Sequence, residues 1–194
     1  MKLKKTEQAP NSGELEKELK RERYKHRYHS TLKSTIYALI TAAAAAVLVA
    51  TLWLPVLQIY GSSMAPTLNE GEIVVSVKEK NFETGDIIAF YYGNKLLIKR
   101  CIAGPGSWVD IREDGTVIVD GQVLEEPYVL EKALGSCDLE LPYQVPEGRY
   151  FLMGDQRDTS VDSRHSSVGC IAEEQIVGKI VYRLWPFEVF GAVE

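Results

Sequence analysis

The sequence predicts a mainly β domain of antiparallel strands that follows a single N-terminal transmembrane helix. Three observations lead to this fold class. The 194 residues divide by charge into a basic, an uncharged and an acidic part. The uncharged part is long and apolar enough to cross a membrane. The acidic part contains short segments in which apolar and polar residues alternate, which is the period of a half-buried strand.

Charge divides the chain sharply. Residues 1–33 carry 10 Lys and Arg against 5 Glu, residues 34–69 carry no charge, and residues 70–194 carry 12 Lys and Arg against 22 Asp and Glu. We therefore predict a basic tail over 1–33, a transmembrane helix over 34–59 and an outer domain over 60–194. The acidic outer domain argues against nucleic acid as a partner, because phosphate contacts require a basic surface.

The uncharged stretch 36–60 is predicted to be a permanent membrane anchor. Its 25 residues provide more than the length of a membrane-spanning helix. A buried helix of a soluble domain would show a polar face, which this stretch lacks. A cleavable signal peptide would have a short basic segment and a shorter apolar core, whereas a 33-residue, mostly polar segment comes first here.

The basic residues predict the orientation of this anchor. They lie just before the apolar stretch, whereas the first charges after it are Glu70 and Glu72. The positive-inside rule then places the N-terminus in the cytoplasm and everything after about residue 60 outside. The charged stretch 14–29 is predicted to be an exposed helix, since charges of both signs crowd it.

The outer domain is predicted to consist of short strands. Six segments are rich in Val, Ile, Tyr and Phe and are bounded by turn residues: 72–78, 86–92, 95–102, 116–119, 149–153 and 175–184. The one helical turn expected here surrounds Pro66, which suits either a first helical turn or a β-turn.

Cysteine and histidine are too few and too scattered to predict a metal site. The histidines are His26, His29 and His165, and the predicted membrane separates the first two from the third. The three cysteines lie in the outer domain, and the sequence leaves open whether Cys137 and Cys170 form a disulfide.

Serine and lysine are the remaining candidates for chemistry. The segment 61–68 presents Ser62 and Ser63 beside a proline turn, although either hydroxyl could equally be a surface group. In the strand 95–102, alternation places Lys99 among apolar neighbours. Burial there would lower the pKa of Lys99, and a neutral lysine is a competent base for a serine hydroxyl. From this strand alone, an exposed lysine remains the more frequent arrangement.

A third segment, 153–164, is dense in charge. Its charged residues could pair with one another and hold Ser160 in place, or the segment could be a flexible acidic loop. These residues are Asp155, Arg157, Asp158, Asp162 and Arg164.

Four motifs occur together in one order: Ser-Met-Ala-Pro-Thr at 63–67, Gly-Asp-Ile-Ile-Ala at 85–89, Lys-Arg at 99–100 followed by Gly-Pro-Gly at 104–106, and Gly-Asp-Gln-Arg-Asp-Thr-Ser-Val-Asp-Ser-Arg at 154–164. In motifs and topology the chain resembles the type I signal peptidases, membrane-anchored serine–lysine endopeptidases that remove signal peptides from exported proteins. The single anchor resembles that of the Gram-positive bacterial members. The resemblance implies a coiled antiparallel sheet as the fold of the catalytic domain.

The resemblance also implies residue roles. Ser63 matches the nucleophile and Lys99 the general base, and the backbone N–H of Ser63 matches one donor of the oxyanion hole. Gly61 stands where some members carry a serine hydroxyl, so no second donor is assigned. The supporting residues implied by the resemblance are Ser160, which orients the lysine, the ion pair of Asp162 with Arg164, and Asp155.

The remaining implications concern substrate and location. Small side chains of an A-x-A cleavage pattern would fit apolar pockets, for which the candidates are Leu57, Ile59, Met64 and Ile98. The implied partners are secretory preproteins, membrane lipid and, indirectly, the Sec and Tat export machinery. The implied location is the plasma membrane, and no cofactor is required.

Two other classes share some of these features. A soluble self-cleaving repressor uses a serine–lysine pair but has no anchor, and a non-catalytic membrane scaffold would lose Ser63 or Lys99. The signal peptidases of the endoplasmic reticulum and of archaea carry histidine in place of this lysine, so Lys99 favours the bacterial type.

Overall fold

The computed structural model describes residues 12–193. Its single α-helix, α1, covers Ser12–Trp53 and includes the charged stretch that was predicted to be helical and exposed. Within α1, Glu16–Leu48 is long and apolar enough to cross a membrane by length and composition. Large apolar side chains such as Leu39 and Leu48 are exposed there, so this helix requires apolar surroundings.

The helix ends before the predicted membrane span does. The span was placed at 34–59, but α1 stops at Trp53, and strand β1 follows at Val56–Gln58. Strand β1 pairs antiparallel with β2, Ile73–Val77, and Leu57 lies opposite Val74. Pro55 cannot donate a helical hydrogen bond, and the pairing with β2 satisfies the backbone that follows it.

The residues after α1 form two antiparallel sheets. The remaining strands are β3 Ile87–Tyr92, β4 Lys95–Ala103, β5 Trp108–Ile111, β6 Val117–Val119, β7 Gln122–Val123, β8 Tyr143–Gln144, β9 Arg149–Met153, β10 Ile171–Ala172, β11 Ile176–Trp185 and β12 Gly191–Ala192. The larger sheet has the order β1-β2-β11-β3-β4-β9-β10, with β12 on β11, and the smaller has the order β7-β6-β5-β8. The mainly antiparallel fold class is therefore confirmed.

All six predicted strands are present, within one or two residues of their predicted bounds. The other six were not predicted. The shortest of them, such as β7, β8 and β10, have only two residues, too few to show alternation. Their existence depends on a neighbouring strand that offers free hydrogen-bonding groups.

Apolar side chains between the strands form the core, and one cluster holds the region where the candidate site lies. Its fully buried members include Met64, Leu68, Val74, Ala89 and Ile180. Burying each of the Met, Leu, Val and Ile side chains among them contributes roughly 1.5–3 kcal/mol. The three cysteines are free, and Cys101 and Cys170 are buried, so the structure contains no Cys137–Cys170 disulfide.

Candidate active site

Ser63 lies on the loop 59–72, which connects the antiparallel strands β1 and β2. Backbone hydrogen bonds close the base of the loop, from the Ile59 N–H to the Glu72 carbonyl at 2.9 Å and from the Gly71 N–H to the Ile59 carbonyl at 3.0 Å. Met64 and Leu68 anchor the loop in the core and are at most 2% exposed. The nucleophile candidate therefore stands on a loop fixed at both its base and its middle.

Lys99 reaches this loop from strand β4. Its Nζ donates a hydrogen bond to Ser63 Oγ at 2.6 Å, although 36 residues separate the two in sequence. Lys99 is only 3% exposed, so it is not the surface lysine that the strand pattern alone would favour. The structure thus brings together the two residues for which the resemblance implied catalytic roles.

Burial makes Lys99 an unusually weak base for a lysine. Desolvation disfavours the ammonium form and lowers the pKa of Lys99 from 10.5 to about 8. The negative charge of Asp162 opposes this shift, and the positive charge of Arg164 supports it. A substantial fraction of Lys99 is therefore neutral at mildly alkaline pH, and a neutral amine can accept the serine proton.

Asp155 ties the loop 59–72 to strand β4. It accepts two hydrogen bonds from Arg100, from Nε at 3.0 Å and from Nη2 at 2.8 Å. The Thr67 hydroxyl donates to the same carboxylate at 2.5 Å. Arg183 adds a hydrogen bond to the Thr67 carbonyl at 2.6 Å. Asp155 is therefore joined both to the neighbour of Lys99 and to the loop that carries Ser63.

Asp162 and Arg164 form the ion pair that the resemblance implied. Arg164 Nε and Nη2 each lie 2.9 Å from one Asp162 oxygen, which is a bidentate arrangement. The Gly154 N–H donates to Asp162 Oδ2 at 2.9 Å. Burial alone would raise the pKa of Asp162, but Arg164 and the Gly154 amide hold it below its usual value. Asp162 therefore stays ionised in the buried site.

Two other charges of this segment find partners outside it, contrary to the expectation of pairing within 153–164. Asp155 pairs with Arg100, and Arg157 pairs through Nη1 and Nη2 with the buried carboxylate of Glu126. Asp158 is exposed. Glu126 lies in a distant segment without a recognisable motif, so sequence reasoning had no signal for it. Thr67 and Arg100 belong to the motifs at 63–67 and 99–100, which was a signal for their role as partners of Asp155.

Ser160 is buried beside Gly154. A Cβ placed on Gly154 would overlap Ser160 Oγ and would lie 2.6 Å from the Ser63 carbonyl oxygen, so glycine is required for this close approach. Ser160 Oγ makes no hydrogen bond of normal geometry among residues 12–193, although its interaction with the Asp162 carboxylate contributes to the lowered pKa of Asp162. The expected contact with Lys99 is not formed in this structure, and the orienting role of Ser160 stays a prediction.

An open cleft of about 580 Å³ adjoins the two residues. Its walls come from strand β1 with the residues after it, and from the first half of strand β4. All four predicted pocket residues line it: Leu57, Ile59, Met64 and Ile98. Within the described part of the chain, β1 pairs only with β2, and residues 95–98 of β4 pair only with β3. The cleft is thus bordered by strand edges with free backbone groups.

Comparison with known proteins places this site in a family. The sequence matches the family described as "Signal peptidase, peptidase S26" over residues 32–185. That match includes the loop 59–72, strand β4 and the segment 153–164. The chain therefore belongs to the signal peptidase family, peptidase S26, whose activity is the cleavage of signal peptides from preproteins.

The chain is similar to individual bacterial signal peptidases. Signal peptidase IB of Staphylococcus aureus (strain COL) is 36% identical over 152 residues, covering 68% of this chain and 78% of the relative. Signal peptidase I of Bacillus amyloliquefaciens is 34% identical over 157 residues, covering 74% and 80%. The crystal structure of a signal peptidase I from Enterococcus faecalis V583 matches with a TM-score of 0.43 and 30% identity, covering 53% of this chain and 98% of that one.

Within the family, the chain is a hydrolase of the type I signal peptidase class. The similarity to type I enzymes and the N-terminal apolar helix together indicate an enzyme anchored in a membrane.

Proposed function

We propose that this chain is a serine endopeptidase in which Ser63 and Lys99 form a catalytic pair that cleaves N-terminal signal peptides. The 2.6 Å hydrogen bond between Lys99 Nζ and Ser63 Oγ carries this proposal. The lowered pKa of Lys99, about 8, supports it because the base must be neutral to accept a proton. A serine–lysine pair is a known variant of the serine hydrolase arrangement.

Proton transfers by Lys99 connect the steps of the reaction. Neutral Lys99 accepts the Ser63 proton as Oγ attacks the scissile carbonyl, and the resulting ammonium donates that proton to the leaving amine. The signal peptide remains as an ester on Ser63, and the mature protein leaves. Lys99, neutral again, activates the water that hydrolyses the ester.

The Ser63 backbone N–H is the proposed oxyanion donor. No hydrogen bond joins it to another residue in the described part of the chain, so it is available to a substrate oxygen. The Ser63 carbonyl is held by the Gln156 N–H at 3.1 Å, which fixes the adjacent peptide. A preorganised donor of this kind stabilises the charge that develops in the transition state.

The supporting residues act on the orientation of the pair. Asp155 connects Arg100 with Thr67, and the Asp162–Arg164 pair holds the Gly154 N–H. We propose that Ser160, which is buried beside Gly154, also restricts the orientation of the Lys99 side chain.

Specificity is proposed to come from the cleft. An extended peptide can add to the free edges of β1 and β4 through main-chain hydrogen bonds. Its side chains would then face Leu57, Ile59, Met64 and Ile98. Ile59 and Met64 are almost fully buried and leave shallow apolar space, which favours small residues of the A-x-A type.

The location is proposed from charge. The seven Lys and Arg residues that precede the apolar stretch from position 17 onward place the N-terminus in the cytoplasm. The outer domain then faces away from the cytoplasm at the plasma membrane, where preproteins arrive through the Sec and Tat export machinery. Membrane lipid surrounds the helix.

Trapping of the acyl-enzyme tests the proposed pair. Purified enzyme in detergent micelles, mixed with a preprotein substrate and quenched in acid within one turnover, should carry the signal-peptide acyl group on the peptide containing Ser63. Peptide mass spectrometry locates the adduct. The Ser62→Ala variant should carry the same adduct, because Ser62 lies beside the nucleophile but its side chain is exposed. An adduct on another residue would contradict the assignment.

Replacement of Ser160 by alanine should lower kcat roughly tenfold and leave KM nearly unchanged, the pattern of an interaction used only in the transition state. The hydroxyl makes no hydrogen bond of normal geometry in the structure and only assists the Asp162 carboxylate, so its removal should lower the melting temperature only slightly. Steady-state kinetics and a thermal melt measure the two effects. A wild-type kcat would exclude an orienting role, and a large fall in melting temperature would make Ser160 structural.

A further inference from the structure

We propose that Glu126 is a positioning residue for the reaction, acting through Arg157 on the turn that holds Ser63. This inference rests on the proposed function of Ser63 and Lys99. Glu126 lies in the segment between β7 and β8, two strands of the smaller sheet. The proposal therefore gives this segment a role in the reaction.

Glu126 and Arg157 form a fully buried ion pair. The side chains of both residues are 0% exposed, and Arg157 Nη1 lies 3.1 Å from Glu126 Oε2, with Nη2 on the other oxygen. The bidentate geometry fixes the plane of the guanidinium group. Its third donor, Nε, is thereby directed to the Gly154 carbonyl at 3.1 Å.

The Gly154 peptide transmits this constraint to the site. Its N–H is held by Asp162, and its Cα lies so close to the Ser63 carbonyl that no side chain fits between them. Two residues further on, the Gln156 N–H donates to that same carbonyl. A shift of the Gly154 peptide would therefore move the residue that carries the nucleophile.

Tyr128 provides a second contact from the same segment. Its ring lies 3.8 Å from the guanidinium carbon of Arg100, which neighbours Lys99 and pairs with Asp155. The Tyr128 hydroxyl donates to Glu126 Oε1 at 3.3 Å. The segment around Glu126 thus contacts the supports of both members of the catalytic pair, Gly154 on the side of Ser63 and Arg100 on the side of Lys99.

Two substitutions test the proposal. Glu126→Gln keeps the shape of the side chain but removes the charge that orients Arg157. Arg157→Lys keeps the charge pair, but a single ammonium lacks the planar fork that holds Glu126 and Gly154 together. Each variant should lower kcat at least tenfold with KM changed less than threefold. The double variant should be no slower than the slower single variant, because both act through Gly154.

The assay uses the full-length enzyme in detergent micelles, with a thermal melt to establish that each variant is folded at the assay temperature. Asp86→Asn is the matched control. It removes a carboxylate from another ion pair of the same domain, Asp86 with Lys179 at 2.6 Å, and should keep the wild-type kcat. If Glu126→Gln does not fold, Arg157→Lys tests the same ion pair and decides the proposal.

A wild-type kcat in a folded Glu126→Gln or Arg157→Lys enzyme would overturn the positioning role, as would an equal loss in Asp86→Asn. Ser63→Ala is run in parallel to separate the two proposals. If Ser63→Ala is inactive and the Glu126 and Arg157 variants match the wild type, only the positioning role fails. If Ser63→Ala still cleaves, the catalytic pair fails, and the positioning role fails with it.

Discussion

Replacement of Ser63 by alanine should abolish cleavage of a preprotein, with kcat/KM lowered on the order of 10³-fold or more. The reason is chemical, because the variant has no oxygen at the position 2.6 Å from Lys99 Nζ and cannot form the acyl-enzyme. The fold should persist, since Ser63 is only half-buried and the loop is fixed by its backbone and by Met64 and Leu68. Preprotein cleavage followed by gel or mass spectrometry measures the loss.

Ser62→Ala is the matched control for this experiment. It removes the same hydroxyl one residue earlier, from an exposed side chain, and should cleave at nearly the wild-type rate. Appreciable cleavage by Ser63→Ala, or an equal loss in Ser62→Ala, would show that the nucleophile is misassigned.

Lys99→Arg should likewise be inactive at every accessible pH. A guanidinium group keeps its proton up to a pH of about 12, so the variant has no base for the Ser63 proton. Loss of a general base costs typically about 10²–10⁴-fold in rate. Lys78→Arg, at an exposed position after β2, is the control for the same chemical change and should remain active.

The pH profile of the wild-type enzyme tests the same role without a substitution. Lys99 is protonated and inactive below its pKa of about 8 and neutral above it. The rate, kcat/KM, should therefore rise with pH by about tenfold per unit below that value and level off above it. A rising limb near 10.5, the ordinary lysine value, or an active Lys99→Arg enzyme would exclude the neutral-lysine mechanism.

Local patterns in the sequence were sufficient for much of the fold. Richness in Val, Ile, Tyr and Phe between turn residues predicted the long strands β2, β3, β4, β9 and β11 nearly to their bounds, because strand propensity and turn signals are properties of neighbouring residues. The long uncharged stretch likewise predicted the apolar helix. The end of that helix was wrong by six residues, since Val56 and Leu57 are as apolar as the helix, and residues 56–58 form a strand because they pair with β2.

The ion pairs of the site also divide into one that was predicted and two that depend on tertiary packing. The pairing of Asp162 with Arg164, two residues apart, was implied by the resemblance of their motif. Arg100 and Asp155 are 55 residues apart, and Arg157 and Glu126 are 31 apart, and neither pairing was predicted. A buried charge requires a partner, but which partner it meets depends on which strands and loops the fold brings together.

The sequence by itself therefore predicted the apolar N-terminal helix, six of the twelve strands and, through its motifs, the identity of Ser63 and Lys99 as candidates. Only the tertiary structure decided that Lys99 is buried, that its amine reaches Ser63 across 36 residues of chain, and that Glu126 contacts Arg157. The physical reason is that residue type and local period are encoded in neighbouring positions. Desolvation and the choice of a distant partner arise when the loop 59–72, strand β4 and the segment 153–164 pack together.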